Sequence, residues 1–415
     1  MADLEWNELA SALRSEPLLN LPRAREVMAR RGLDGLVLLR AQNVYQAAAF
    51  WPLTDRMGYP PSCAVVLPRA ANRRPVLVMP QFTFYYIYSD GGVRSYLDHV
   101  LYAPQGALQV FHATDPDALS AKERRRLADL APLARSLQAD FTTALRLAIR
   151  EAGLEGGVLG VDDELGAALV TAAETRNDTR PAQQDVAFIR MVKSPLEIRM
   201  MRAAATRNVE AALAAVRGLR AGMTLRELRQ RYFTEVTQRG MTPLFMVVDK
   251  SSVPTFDDEL RDGQGVLIDC VSHFHNYHGD FGRTVVLGEP SRAMRRATDA
   301  MRFAWSEIRA QLRPGLTDVD IRRIGAEALR KGGYTTNIAF TPHSVGLQHS
   351  DAPLRTDGVI PAPQGFTLEP GMVLSVDCPL FEEGVGGSAH LEDLTLITAD
   401  GGERIHPDSD SVLVV

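Results

Sequence analysis

The chain has 415 residues, too many for one ordinary core, so two domains are expected. A composition of 45% hydrophobic and 23% charged residues is that of a soluble globular protein, and a net charge of −5 gives no reason to expect nucleic acid or an anionic membrane surface as a partner. No apolar run approaches the roughly 20 residues that a bilayer span needs.

The N-terminal MADLEWNELASALRSE is acidic and has no apolar core, so no secretory signal is read there. Cys63, Cys270 and Cys378 are odd in number, widely spaced and each in apolar context, which reads as buried thiols of a cytoplasmic protein. From LPRAREVMARRGLDGLVLLR the sequence predicts a helix, a Gly stop and a buried strand. CAVVLP and RRPVLVMP predict two more strands, and GVLGVDDELGAALVTAA a strand followed by a helix. This alternation indicates an α/β domain over residues 1–185. The aromatic stretch Phe82 to Tyr88 reads as core, with a pocket wall or a subunit contact as the other possibilities. His99 and His112 have no partners at ligand spacing and read as structural.

Pro181 and its polar neighbours mark the join to a second domain, residues 186–415. Its first helix opens with Ser194-Pro195-Leu196-Glu197, a capping box with Pro at the first helical position. An internal repeat follows. LRAGMTLRELR from Leu219 matches LRPGLTDVDIR from Leu312, and LRDGQGVLIDC from Leu260 matches LEPGMVLSVDC from Leu368. The second match puts Gly263 on Gly371, Asp269 on Asp377 and Cys270 on Cys378, so this domain reads as two related α+β halves.

Val266 to Leu287, VLIDCVSHFHNYHGDFGRTVVL, reads as a β-hairpin with an acid in each arm, Asp269 and Asp280, around a polar centre holding Asn276, Gly279 and Gly282. A carboxylate in such a strand is costly unless paired, hydrogen-bonded or bound to a cation. Asp377 and Glu392 supply the corresponding pair in the second half. Six His lie near these strands, at 273, 275, 278, 343, 349 and 390. His343 stands out because it opens HSVGLQHSDAP, where Gly346 permits close backbone approach. Four carboxylates and an imidazole suit Mn²⁺, Fe²⁺, Co²⁺ or Zn²⁺ in a two-metal site with ions roughly 3.5 to 4 Å apart. His273, His275 and His278, at the hairpin tip, read as solvated.

These residues resemble the pita-bread metallopeptidase family, which includes aminopeptidase P, prolidase, methionine aminopeptidase and the metal-free creatinase. The resemblance covers nearly the whole chain and implies an α+β pita-bread catalytic domain preceded by a creatinase-type α/β domain. Its five metal ligands carry over to Asp269, Asp280, His343 in His-x-x-Gly, Asp377 in EPGMVLSVD and Glu392 in GGSAHLED. The chain also departs from the pattern. The family's Glu is here the shorter Asp377, and its substrate-binding second His falls on Ser350, with His349 just before it. DKSSVPTFDDELRDG lacks the His expected ahead of the first Asp, and His390 replaces an Arg.

The resemblance implies a hydrolase of amide-type C–N bonds, Xaa-Pro peptidase-like, using two divalent ions with Mn²⁺ foremost and Fe²⁺, Co²⁺ or Zn²⁺ as alternatives. Asp377 or Glu392 would move the proton, with His349 and His390 contacting the substrate and transition state. The missing peptide-gripping His leaves a small non-peptide substrate open, by hydrolysis or by lyase chemistry. A non-catalytic peptide-binding module is the reading from another class, and the full ligand set disfavours both it and a metal-free hydrolase. The expected partners are a small-molecule or short-peptide substrate and a second copy in a homodimer, with Phe82–Tyr88 at the contact.

Overall fold

The computed structural model describes residues 2–104, 111, 113–249, 258–334, 340–355, 362–363, 365–380, 384–406 and 412–415. His112 and most of the DKSSVPTFDDELRDG stretch, residues 250–257, lie outside them. The chain divides into two units, Met1–Ile189 and Arg190–Val415.

In the first unit the apolar runs become Gly35–Leu38 (β1), Ala64–Pro68 (β2), Val76–Pro80 (β3), Asp98–Tyr102 (β4), Val158–Val161 (β5) and Asp178–Pro181 (β6). They form one mixed sheet in the order β4-β3-β2-β1-β5-β6. Successive residues face opposite sides. Leu36, Leu38, Val65 and Leu67 pack with Ala24, Val27 and Met28 of the helix Leu21–Arg31. Val37, Val66, Val76 and Val78 pack with Ala144, Leu145 and Ile149 of the helix Phe141–Glu151. Both faces are covered, which is why these strands read as continuous apolar runs rather than alternating ones. The aromatic segment splits by burial. Phe84, Tyr85 and Tyr88 are buried, while Phe82, Tyr86 and Ile87 are exposed. His99 Nε2 lies 3.0 Å from the Tyr88 hydroxyl and belongs to this core.

The second unit carries Thr242–Val248 (β7), Gly265–Phe274 (β8), Tyr277–Val286 (β9), Thr341–Ser344 (β10), Leu354–Arg355 (β11), Ala362–Pro363 (β12), Val373–Leu380 (β13), Ala389–Asp393 (β14), Thr395–Ile397 (β15), Gly402–Arg404 (β16) and Leu413–Val414 (β17). Nine of these form one sheet, ordered β16-β15-β13-β14-β9-β8-β7, with β10 beside β13 and β17 beside β9. The repeat is visible in three dimensions. Each half has two helices, Pro195–Val216 with Leu225–Gln238 and Arg292–Gln311 with Asp318–Lys331, then a strand (β7 or β10) paired to the first arm of a hairpin, β8-β9 or β13-β14. Thr224 and Thr317 cap the second helix of each pair through a capping box, as Ser194 does for the first helix. Gly263 and Gly371 precede the equivalent strands at positive φ, 75° and 91°, where a side chain would be strained. None of the described helices is long and apolar enough to cross a membrane.

The hairpin differs from its sequence reading at the tip. His275-Asn276 is the two-residue turn, both at positive φ as such a tight hairpin requires. Gly279 and Gly282 lie inside β9 instead of in the turn. Nor is the tip fully solvated: His273 and His275 are half-buried. His278 is buried, its backbone N–H donating to the Gly346 carbonyl at 2.9 Å and its Nδ1 lying 3.0 Å from the same oxygen. Burial holds His278 and His275 down to about 4. The loop after β10 folds onto the tip, a long-range contact that local polarity does not announce.

Candidate metal centre

The site forms where the two hairpins meet. β14 pairs with β9 so that Glu392 opposes Gly282, which on its other side opposes Asp269 of β8. A glycine is required in the middle of this row. A Cβ at 282 would collide with the His390 ring and the Glu392 Cβ. Asp280 lies two residues before Gly282 and therefore on the same face. Asp377 enters from β13 at the position equivalent to Asp269, each the fifth residue of its strand.

His343 enters from β10, paired to β13. Its Nδ1 lies 3.1 Å from the His349 carbonyl oxygen. An N–H donated there leaves the Nε2 lone pair facing the acids, the orientation a metal-binding imidazole takes. His343 Nε2 is 3.4 Å from Glu392 Oε1, 3.6 Å from Asp280 Oδ2 and 3.7 Å from Asp377 Oδ2. His349 also points inward, its Nε2 3.3 Å from Asp280 Oδ2 and its ring against His343 and Phe245. His390 Nε2 is 3.1 Å from Glu392 Oε2 and 3.6 Å from Asp377 Oδ1.

The seven predicted site residues thus come together in two groups, Asp280-His343-His349 and Asp269-Asp377-His390-Glu392. Within each group the possible ligand atoms lie within 4.8 Å of one another. Several of these atoms are buried without a hydrogen-bond partner, namely Asp269 Oδ1, both Asp280 oxygens and His343 Nε2. Groups of this kind cost free energy unless something charged satisfies them.

The sequence profile of metallopeptidase family M24 matches residues 199–399, most of the second unit. Residues 199–399 are a metallopeptidase family M24 domain. It is 23% identical over 259 residues to the Xaa-Pro dipeptidase of Pyrococcus furiosus, covering 60% of this chain and 73% of that one. It is 24% identical over 226 residues to the Xaa-Pro dipeptidase of Pyrococcus horikoshii, covering 52% and 63%. The solved structure of an Xaa-Pro dipeptidase from Bacillus anthracis superposes with a TM-score of 0.67 at 19% identity, covering 95% of this chain and 99% of that one. The fold is therefore the α+β pita-bread fold with an N-terminal domain.

The M24 match and the Xaa-Pro dipeptidase relatives make the chain a hydrolase, and the donors fit a divalent pair. Oxygen-rich groups with imidazole suit such ions, and the unpartnered Asp280 and Asp269 oxygens are the atoms that a cation would satisfy. Burial, and next the neighbouring Glu392 charge, push Asp269, Asp280 and Asp377 upward, Asp377 to about 6. Burial opposes ionisation of Glu392 too, but His343 and His390 outweigh it and hold Glu392 well below its ordinary value. A carboxyl whose folded value exceeds its unfolded one lowers stability as pH rises between the two, here from 3.8 to about 6 for Asp377. Metal binding needs these groups ionised. The rise in Tm that saturating divalent metal gives over chelated protein should therefore grow from about pH 5 to about pH 7. Differential scanning calorimetry across that range checks it, and a gain independent of pH would contradict it.

Sequence reading missed the residues that hold this M24 site in shape. Asp351, 1% exposed, accepts from Arg190 Nε at 2.8 Å and from the Leu347 backbone N–H at 3.2 Å, fixing the loop that carries His349. Lys193 donates to Ser344 Oγ at 3.1 Å. Gly346 has no room for a Cβ beside Asp351 and Lys193. Ser375 Oγ donates to Glu392 Oε1 at 2.7 Å. Beneath Glu392, Arg283 donates to the Glu392 carbonyl at 2.8 Å and to Asp393 Oδ1 at 2.6 Å. Only the run of two acids at Glu392-Asp393 in an apolar strand hinted at this layer.

Proposed function

We propose that the chain hydrolyses Xaa-Pro dipeptides, with Asp269, Asp280, His343, Asp377 and Glu392 holding two divalent ions. The observation that carries this reading is the convergence of these five donors from five strands, with buried acceptor atoms left unpaired. Bound ions at such a centre supply Lewis-acid activation of water and of the scissile carbonyl. Of the two candidate bases, Glu392 is tied by Ser375 and His390. Asp377 is the freer one, with a side chain 29% exposed and a titration near 6. It takes a proton from the attacking water and returns it to the prolyl nitrogen as the C–N bond breaks, leaving an amino acid and proline.

The His349 side chain is 32% exposed, more than its neighbours His343 at 10% and Asp280 at 0%. It is assigned to substrate contact in this reading. His349→Ala should keep two ions bound while kcat/KM falls about 100-fold, the lower range for loss of a positioned polar group. Metal content measured beside steady-state kinetics checks both parts.

The five-donor set with one imidazole by itself suits Mn²⁺, with Fe²⁺, Co²⁺ and Zn²⁺ as alternatives. A homodimer is part of the reading, with the exposed Phe82, Tyr86 and Ile87 at the contact. So is a cytoplasmic location, which suits three buried free thiols. A second reading, hydrolysis of a small non-peptide C–N bond, is favoured by His390 occupying the place where the resemblance expects an Arg. Xaa-Pro dipeptides, longer Xaa-Pro peptides, N-acyl amino acids and cyclic amidines, assayed with each metal, separate the two. Fastest turnover of Xaa-Pro dipeptides supports the first reading, and turnover confined to a non-peptide substrate overturns it.

A further inference from the structure

The structure assigns His390 to the metal centre: we propose that its Nε2 is a ligand of one of the two ions, completing a group of three carboxylates and one imidazole with Asp269, Asp377 and Glu392. The inference deepens the proposed function and rests on its two-ion reading.

Three observations carry it. First, His390 is 3% exposed with the Cδ2–Nε2 edge of its ring over Gly282, so the ring is shielded from a substrate arriving from solvent. Second, its Nε2 faces two acids, Glu392 Oε2 at 3.1 Å and Asp377 Oδ1 at 3.6 Å, while Nδ1 is buried without a partner among the described residues. Two donors bound to one zinc at about 2.1 Å lie about 3.4 Å apart, so these separations are those of neighbouring ligands. Third, Asp269 Oδ1 in the same group is buried and unpaired.

Strand geometry explains why the position is open to an imidazole. Cys378 pairs with Leu391 and Pro379 with His390, so His390 sits diagonally from Asp377 and on the same face as Glu392. Asp377 is one methylene shorter than a Glu, and the His390 ring occupies the space beside it. The two departures noted in the sequence therefore face each other and compensate. An added imidazole also moves the group's preference from Mn²⁺ toward Zn²⁺ and Co²⁺.

The test is X-ray absorption on zinc-loaded full-length protein, comparing wild type with His390→Gln at measured zinc content. With His390 bound, the variant loses imidazole scattering equivalent to one ring per chain, and one zinc binds about 100-fold more weakly or is lost. An unchanged imidazole signal with two zincs still bound overturns the assignment and leaves the hydrolase reading intact. Should His390→Gln not fold, the count is taken on His349→Ala. One imidazole per zinc there supports the proposal, and one per two zincs overturns it. Protein that binds no divalent ion overturns this inference and the two-ion reading together.

Discussion

Asp280→Ala protein should lose metal-dependent hydrolysis by a factor of about 10⁴ or more while its metal-free form melts no lower than the metal-free wild type. Both oxygens of Asp280 are buried without a hydrogen-bond partner, and its nearest charged neighbours are His349 at 3.3 Å and His343 at 3.6 Å. Burial, and next the Glu392 charge, hold its titration well above the ordinary carboxylate range. Without a cation this carboxylate is a cost to the fold, so removing it relieves repulsion inside the acid cluster. With a cation it is a ligand that nothing adjacent replaces. The signs are therefore opposite for stability and for activity. Calorimetry of chelated protein beside kinetics of metal-loaded protein reads both, and a fall of several degrees in the chelated form would mean that Asp280 serves the fold instead.

Asp393→Ala should do the reverse, costing about 3–5 kcal/mol of stability in the second unit, the usual price of stranding one partner of a buried ion pair. Asp393 is fully buried between Arg283 at 2.6 Å, Arg404 at 2.8 Å and His406 at 3.0 Å, with the Trp305 indole N–H donating to it at 3.3 Å. Burial works against its charge, yet Arg283 outweighs that and holds it at about 2. Without it, Arg283 stays in the core, 1% exposed, donating to the Gly282 and Glu392 carbonyls but with its charge no longer matched by the Asp393 carboxylate. Those carbonyls belong to the strands that set Glu392 opposite Gly282, so metal affinity falls as well. Denaturant unfolding followed at Trp305, together with zinc affinity, measures the two effects. Stability within 1 kcal/mol of wild type would show that Arg404 and His406 do not depend on this anion.

Much of the second unit was legible in the sequence because its signals are local. Apolar runs holding Asp269 and Asp377 mark strands, and Thr224 with Glu227 marks a helix start. The repeat told which acids are equivalent. What stayed hidden depends on distance along the chain. Arg190 meets Asp351 161 residues away, and Arg283 meets Asp393 110 residues away, and nothing near either residue announces its partner. Glycine is ambiguous for a related reason. Gly282 reads locally as turn material, whereas its place in β9 answers to the His390 ring packed against it from another strand. His278 was misread because its burial comes from the Gly346 loop, folded over it from far along the chain.

The most direct measurement is a metal titration of chelator-stripped protein, following hydrolysis of an Xaa-Pro dipeptide and bound ions in the same samples. The two-ion chemistry requires an inactive stripped protein whose activity returns as Mn²⁺, Co²⁺ or Zn²⁺ binds, saturating at two ions per chain. Full activity in the stripped protein, or none with two ions bound, would contradict it.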